Sequence, residues 1–176
     1  MVSYGEYQTT LFKALTEIDR NWKKYDGLIV AGTHNPKDYD IKKILLEIKD
    51  ARETKKPTLL ICWGFQLGAI EYARNVLGIS RATSEEWSDK GPYVVKKRES
   101  LKVGLHQGES YWNNYEVVID WEKGDSFFAT QSHPEYNSSI DRPHPLLVDF
   151  LITCKKHDTI SKGKTTSFVE RWKSRL

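Results

Sequence analysis

Two short stretches of the chain hold residues whose types and spacing suit covalent chemistry. In TLLICWGFQLG, residues 58–68, an apolar run ends in Cys62, and Gly64 follows two positions later. In FFATQSHPEY, residues 127–136, an apolar run leads into His133, and Glu135 lies two residues beyond it. A thiolate is a strong nucleophile, an imidazole can take its proton, and a carboxylate can fix the imidazole tautomer. Together these residues have the composition of a Cys-His-Glu triad.

Each stretch also has a plainer interpretation. Cysteine is often a buried core residue, and a histidine beside a glutamate often lies in a solvated loop. A cysteine on a sharp turn from strand to helix, however, stands beside the helix N-terminus, where the dipole and N–H groups favour a thiolate and can hold an oxyanion. The residues around Cys62 leave both interpretations open, and the second stretch favours the nucleophile.

Alternating strands and helices would position these residues. Apolar runs at 25–32 and 56–62 predict buried strands, and apolar side chains at helical spacing predict helices over 8–23, 38–54 and 64–77. This order predicts an α/β fold with a mostly parallel sheet sandwiched by helices.

The second half of the chain adds closely spaced strands and a final helix. Apolar runs at 93–95, 101–105 and 115–120 predict a short antiparallel extension, and residues 144–156 predict a helix. Because the connections are short, we expect a single domain over residues 1–176.

Composition narrows the function classes. The chain has 176 residues, 39% of them hydrophobic, and a net charge of +3, which suits one packed domain and is too small to indicate a nucleic-acid partner. Cys62 and Cys154 lie far apart, without a metal-ligand pattern. No stretch reads as a signal peptide or membrane span. We therefore expect a cytoplasmic protein with no metal, no cofactor and no membrane association.

The residues from 64 to 87, GFQLGAIEYARNVLGISRATSEEW, followed by ATQSHPEY and RPHPLLVDFL, closely resemble the glutaminase domain of CTP synthase, a class I (triad) glutamine amidotransferase. The resemblance runs from about Tyr25 to about Leu151. It implies a flavodoxin-like fold and hydrolysis of glutamine to glutamate and ammonia through a thioester. By position, Cys62 would be the nucleophile, His133 the base and Glu135 its partner.

The resemblance also implies further site residues. VAGTHN, residues 30–35, corresponds to the family's glycine-rich oxyanion loop, so Gly32 would contact substrate, and the backbone N–H groups of Thr33 and Trp63 would form the oxyanion hole. Gln66 matches a residue that contacts bound glutamine, and Glu86 matches the carboxylate for the substrate amino group.

This sequence departs from the family pattern in several places. Thr33 replaces a loop glycine, and Leu60 replaces the glycine two residues before the nucleophile. The arginine-rich run in which the family has an arginine for the substrate carboxylate is here ESYWNNYEV, residues 109–117, so we expect Trp112, Asn113 and Asn114 to contact substrate instead. Such a change removes a charge-assisted contact. For Trp112, a core or lid aromatic is an equally open interpretation.

Two alternatives to a glutaminase follow. One is a triad hydrolase or acyltransferase with another substrate. LLICWGFQ is locally similar to the corresponding turn of the homoserine O-acyltransferases, which implies transfer of an acyl group from a thioester to a hydroxyl. The replaced arginines favour a neutral or aromatic amide, ester or thioester as the substrate. A catalytically diverged binding or regulatory homologue is the other alternative.

For a glutaminase, a separate synthetase chain would receive the ammonia. The short stretch before residue 25 predicts a sheet shortened at its N-terminus, and a homodimer would cover the exposed edge.

Overall fold

A computed structural model of the chain describes residues 1–6, 8–106, 109–118 and 124–161, without the side chains of residues 98–106 and 109–115. The described strands are β1 (Val2–Tyr4), β2 (Leu28–Val30), β3 (Thr58–Ile61), β4 (Thr83–Ser84), β5 (Tyr93–His106), β6 (Glu109–Val117) and β7 (Phe127–Thr130). The described α-helices are α1 (Gln8–Ile18), α2 (Ile41–Thr54), α3 (Trp63–Asn75) and α4 (Pro145–Ser161). Short 3-10 turns lie at Trp22–Lys24, Pro36–Asp38 and Pro134–Asn137.

Four of the described strands form a parallel sheet in the order β1-β2-β3-β7. Every residue of β2 and β3 is buried, which is why both strands read as continuous apolar runs. Helix α2, which follows β2, begins where the Asp40 side chain accepts the Lys43 N–H at 3.1 Å, and it ends at Lys55 in the left-handed conformation. These local signals place a crossover helix between neighbouring parallel strands.

The alternation of side chains along the central strands builds two cores. On β3, Leu60 packs into the core that α2 and α3 cover, whereas Leu59 and Ile61 pack into the core that α1 and α4 cover. The sheet is therefore sandwiched by helices, which confirms the predicted α/β architecture.

The later strands form a second sheet in the order β4-β5-β6. Strands β5 and β6 are antiparallel, as predicted, but they belong to this separate sheet and do not extend the parallel one. Strand β5 joins the two apolar runs that were predicted as separate strands, with a shift of register between Lys97 and Lys102. The last two residues of the predicted strand 115–120 lie outside the described residues.

The N-terminal elements differ from the predictions at their ends. Sequence analysis did not assign β1, which has three residues and pairs with β2. Helix α1 ends at Ile18, not at residue 23, because the Asp19 carboxylate accepts the Asn21 N–H at 2.8 Å and the Tyr25 hydroxyl at 2.6 Å. These bonds favour a turn over another helical residue.

Candidate active site

The candidate site lies at the carboxyl edge of the parallel sheet. Because β1, β2, β3 and β7 all run in the same direction, the segments that follow them emerge at one edge, where α/β proteins commonly bind ligands. Glu6 follows β1, Thr33 follows β2, Cys62 follows β3 and His133 follows β7. The strand order therefore brings four segments that are distant in sequence together.

Cys62 occupies a strained turn between β3 and α3. Its φ of 55° and ψ of −107° form a conformation that side-chain-bearing residues rarely adopt. Its N–H donates to Thr130 O at 2.9 Å, which ties the turn to β7. Gly64 allows α3 to approach β2, since a Cβ there would lie 2.0 Å from Val30 O. This turn presents a partly exposed thiol at the start of a helix.

His133 and Glu135 form a buried pair beside Cys62. His133 Nδ1 lies 2.7 Å from Glu135 Oε1, and the two residues are 7% and 2% exposed. Burial by itself lowers the pKa of His133, but hydrogen bonding and charge from Cys62 and Glu135 outweigh it and raise that pKa to about 10. A protonated imidazole in this position can pass its proton to a leaving group.

Local hydrogen bonds after β7 orient the His133 segment. The Thr130 and Ser132 hydroxyl oxygens lie 2.6 Å apart, and the Ser132 N–H donates to Thr130 Oγ1 at 3.1 Å. The Pro134–Asn137 turn then carries Glu135 back to the imidazole. In the HPE stretch, the chain thus turns after His133, so that the Glu135 carboxylate reaches the His133 ring.

The loop after β2 carries the predicted oxyanion residues. Thr33 is 6% exposed, and its hydroxyl oxygen accepts the Asn35 N–H at 3.0 Å. Trp63 is the first residue of α3, so its N–H is among those that the helix does not satisfy. The Trp63 ring is buried against Tyr39, with ring centroids 5.2 Å apart. Gly32 and Thr33 follow β2, which is adjacent to β3, the strand that precedes Cys62.

Gln66 and Glu86 supply unsatisfied polar atoms. Gln66 lies one turn into α3 and is 2% exposed, and its Oε1 has no hydrogen-bond partner among the described residues. Glu86 Oε2 is likewise buried without a described partner. Burial raises the pKa of Glu86 to about 7, and the neighbouring Gln66 side chain opposes that rise. Buried atoms of this kind are the groups that a polar ligand would satisfy.

The predicted contacts Trp112, Asn113 and Asn114 lie in β6, where Trp112 pairs with Val103 and Asn113 with Lys102. Strand β6 contacts the Pro134–Asn137 turn, which brings its backbone close to the His133 segment. The side chains of these three residues lie outside the described part of the chain, so their contact with substrate stays a prediction.

Sequence analysis missed Glu6 and Tyr39. The Glu6 carboxylate accepts the His34 N–H at 3.1 Å and the Asn35 side-chain amide at 3.1 Å. The Tyr39 hydroxyl lies beside the Thr33 hydroxyl, and its ring packs on Trp63. Glu6 is distant from this loop in sequence, and only the pairing of β1 with β2 brings the two together.

Two kinds of feature are absent from the part of the chain that the structure describes. No group of three or more His, Cys, Asp or Glu side chains in this part could hold a metal ion. None of the described helices is both long enough and apolar enough to cross a membrane.

Three comparisons with known proteins bear on this site. Residues 2–114 match the family model for class-I glutamine amidotransferases. The chain is 31% identical to the CTP synthase of Methanoculleus marisnigri, over 78% of this chain and 35% of that protein. It is 28% identical to the CTP synthase of Thermotoga maritima, over 75% of this chain and 36% of that protein. The chain thus spans about a third of the length of these relatives.

A solved structure shares the fold. The glutaminase domain of Trypanosoma brucei CTPS, with bound acivicin, superposes with a TM-score of 0.69 at 18% identity, covering 94% of this chain and 97% of that one. The family model covers well over half of the residues, including the strained cysteine turn and the loop after β2. This chain therefore belongs to the class-I glutamine amidotransferase family.

Proposed function

We propose that the chain is a glutaminase that hydrolyses the side-chain amide of L-glutamine, or of a close analogue, to a carboxylate and ammonia. The observation that carries the proposal is the meeting of Cys62 with the His133–Glu135 pair at the ends of adjacent parallel strands. Family membership and similarity to CTP synthases support glutamine as the substrate.

The first half of the proposed reaction forms a thioester. The Cys62 thiolate attacks the amide carbon, and the carbonyl oxygen becomes an oxyanion that accepts hydrogen bonds from the Thr33 and Trp63 N–H groups. His133 then gives its proton to the amide nitrogen. The C–N bond breaks, ammonia leaves, and the acyl group stays on Cys62.

The second half releases the acid. Neutral His133 takes a proton from water, and the resulting hydroxide attacks the thioester carbon. The C–S bond breaks, the carboxylic acid leaves, and the thiolate again faces a protonated His133. Glu135 holds the imidazole in the orientation that both transfers need, through the 2.7 Å contact at Nδ1.

Substrate binding is proposed for residues around the triad. Gln66 and Glu86 carry buried oxygens without described partners, which suits the amino group of an amino-acid substrate. Gly32 lies in the oxyanion loop, where the substrate carbonyl would bind. Trp112, Asn113 and Asn114 would contact the remainder of the substrate.

A second candidate uses the same triad on a substrate without a carboxylate. The run from 109 to 117 contains no arginine, so it lacks the cation that would pair with a carboxylate bidentately. A neutral amide, ester or thioester would then be preferred over glutamine. Steady-state turnover of L-glutamine beside glutaminamide, whose carboxylate is replaced by an amide, separates the two candidates.

Released ammonia needs an acceptor. We propose that a synthetase unit provides this acceptor, because the matched relatives are CTP synthases and this chain spans about a third of their length. The homodimer predicted from the sequence stays a prediction, and size-exclusion chromatography over a hundredfold range of protein concentration tests it. A monomer at every concentration would contradict it.

The decisive experiment measures ammonia and glutamate release from L-glutamine by the wild type and by Cys62→Ser. We expect equal amounts of the two products and a loss of at least about a thousandfold in the variant, since removing a triad nucleophile removes most of the catalysis. Cys154→Ala is the matched control, because Cys154 is fully buried and burial raises its pKa.

The result that would overturn the proposal is equally specific. If no amide, ester or thioester is turned over and Cys62 reacts with iodoacetamide no faster than buried Cys154, the triad is not functional. The chain would then be a diverged binding homologue that keeps the fold.

A further inference from the structure

The segment that follows β1 lies against the proposed oxyanion loop. Strands β1 and β2 are adjacent and parallel, so Gly5 and Glu6 leave the sheet beside the loop of residues 32–35. Gly5 has a φ of +106°, and a Cβ there would lie 2.7 Å from Ala31 O, so only glycine allows this close approach. Glu6 is thereby brought within hydrogen-bond distance of Gly32, His34 and Asn35.

The backbone of Glu6 fixes the direction of the Thr33 N–H. The Glu6 N–H donates to Gly32 O at 2.9 Å. Gly32 C=O and Thr33 N–H belong to the same peptide unit, and in a planar trans peptide these two groups point in opposite directions. Holding Gly32 O toward Glu6 therefore directs the Thr33 N–H away from Glu6.

The carboxylate of Glu6 holds the next peptide unit. Its Oε2 accepts the His34 N–H at 3.1 Å, and its Oε1 accepts the Asn35 side-chain amide at 3.1 Å. The His34 N–H is the main cause of a pKa for Glu6 below its ordinary value, so the group is ionised at neutral pH. Since Thr33 C=O and His34 N–H share a peptide unit, Glu6 restrains the chain on both sides of Thr33.

The Thr33 side chain restrains the third peptide unit. Its hydroxyl oxygen accepts the Asn35 N–H at 3.0 Å and lies beside the Tyr39 hydroxyl, and the Tyr39 ring packs on Trp63. The threonine that replaces a family glycine thus connects the loop to the residue that carries the second proposed oxyanion donor.

We propose that Glu6 is a positioning residue that holds the Thr33 N–H in the orientation needed to bind an oxyanion before any substrate is present. This inference rests on the proposed function of the triad. Glu6 touches no reacting atom and acts through the peptide units that flank Thr33. A loop restrained at three successive peptides loses less conformational entropy when the oxyanion forms.

Two reagents test the inference without glutamine. p-Nitrophenyl acetate acylates Cys62 in two steps: formation of the C–S bond gives a tetrahedral oxyanion, and p-nitrophenolate then leaves as the C–O bond breaks. Iodoacetamide alkylates the same thiolate by displacing iodide and forms no oxyanion. We expect Glu6→Ala to slow acylation about tenfold, less than the loss of a whole oxyanion donor, and to leave alkylation within twofold of the wild type.

Two further variants sharpen the comparison. Glu6→Gln keeps one carbonyl oxygen that can accept the His34 N–H, so it should recover most of the acylation rate. Glu17→Ala removes a glutamate on α1 whose only described ion pair is a 4.0 Å surface contact with Lys13, so both rates should stay at wild-type values. Hydrogen exchange of the His34 amide, measured by NMR, reports on the restraint directly and should accelerate in Glu6→Ala.

The outcomes are distinct. Slower acylation with unchanged alkylation and faster His34 exchange supports the inference. Unchanged acylation, an equal fall in both rates, or unchanged His34 exchange overturns it. Failure of the proposed function looks different, because wild-type Cys62 would then resist both reagents while His34 exchange would still respond to Glu6→Ala.

Discussion

The approach of α3 to β2 at Gly64 is expected to set the position of Cys62, and Gly64→Ala tests this. A Cβ at residue 64 would lie 2.0 Å from Val30 O, 2.8 Å from Val30 C and 3.0 Å from Val30 Cβ. The first two are backbone atoms, so no side-chain rotation relieves the overlap. Ordinary contact begins at 3.4 Å, so the start of α3 must retreat from β2 by about 1.4 Å.

The size of the effect follows from this displacement. Overpacking costs about 1–3 kcal/mol, and overlap with backbone favours the upper end, so we expect Gly64→Ala to lose about 3 kcal/mol of the free energy of unfolding. That loss is a large part of the free energy of unfolding of a typical domain, which is about 5–15 kcal/mol. Cys62 lies two residues away, and a displacement of about 1 Å at a reacting group costs about a hundredfold in rate.

Urea unfolding and the rate of Cys62 acylation by p-nitrophenyl acetate measure the two effects. Gly78→Ala is the matched control just beyond the opposite end of the same helix, since Gly78 has a φ of +73° and a Cβ there would meet no described atom within 4 Å. It should lose only about 1 kcal/mol, the cost of a left-handed conformation, with no change in acylation. If Gly64→Ala loses less than about 1 kcal/mol and acylates at the wild-type rate, the close approach does not position Cys62.

Three further predictions concern charged groups. The pKa of Glu86 is about 7 in the folded protein, against an ordinary 4.5, so between these pH values the folded protein keeps a proton that the unfolded chain releases. The free energy of unfolding therefore falls as pH rises from 4.5 to 7. Glu86→Gln should raise the free energy of unfolding at pH 8 by about 1 kcal/mol and should raise KM for an amino-bearing substrate. Arg52→Ala should cost about 3 kcal/mol, because it leaves buried Glu71 without the guanidinium contacts at 2.9 and 3.0 Å. Glu135→Gln should lower the pKa of His133 from about 10 toward its ordinary value, as seen in an NMR titration of the imidazole protons.

Each of these predictions has a contradicting result. Equal stability of Glu86→Gln and the wild type at pH 8 would mean that the carboxylate is not destabilised by burial. For Arg52→Ala the control is Glu53→Ala, an exposed neighbour whose ion pairs are worth less than about 1 kcal/mol, and equal losses in the two would show that the buried pair contributes no more than a surface pair.

The raised pKa of His133 also makes the free energy of unfolding depend on pH. A histidine whose folded pKa is raised contributes stability that is complete below about pH 6.5 and is lost as pH rises through about 10. In Glu135→Gln that loss should occur at lower pH. An unchanged titration would show that Glu135 does not stabilise the imidazolium.

The candidate triad could be predicted because its signals are local. Cys62 follows a continuous apolar run, and His133 and Glu135 lie within one turn that follows another. The helices at α2 and α3 were predicted for the same reason, since burial of one face leaves a periodic pattern in the sequence. Element ends were less predictable, as at Ile18, because side-chain hydrogen bonds decide where a helix stops.

The sequence by itself determined the chemistry available to this protein: a thiol on a turn, an imidazole and a carboxylate two residues apart, and strands and helices in alternation. Only the tertiary structure decided which segments meet. The order β1-β2-β3-β7 brings His133 to Cys62 and Glu6 to the Thr33 loop, although each pair is far apart along the chain. Strand order and register follow from burying both faces of the sheet at once, a requirement of the whole domain that no local stretch of sequence expresses.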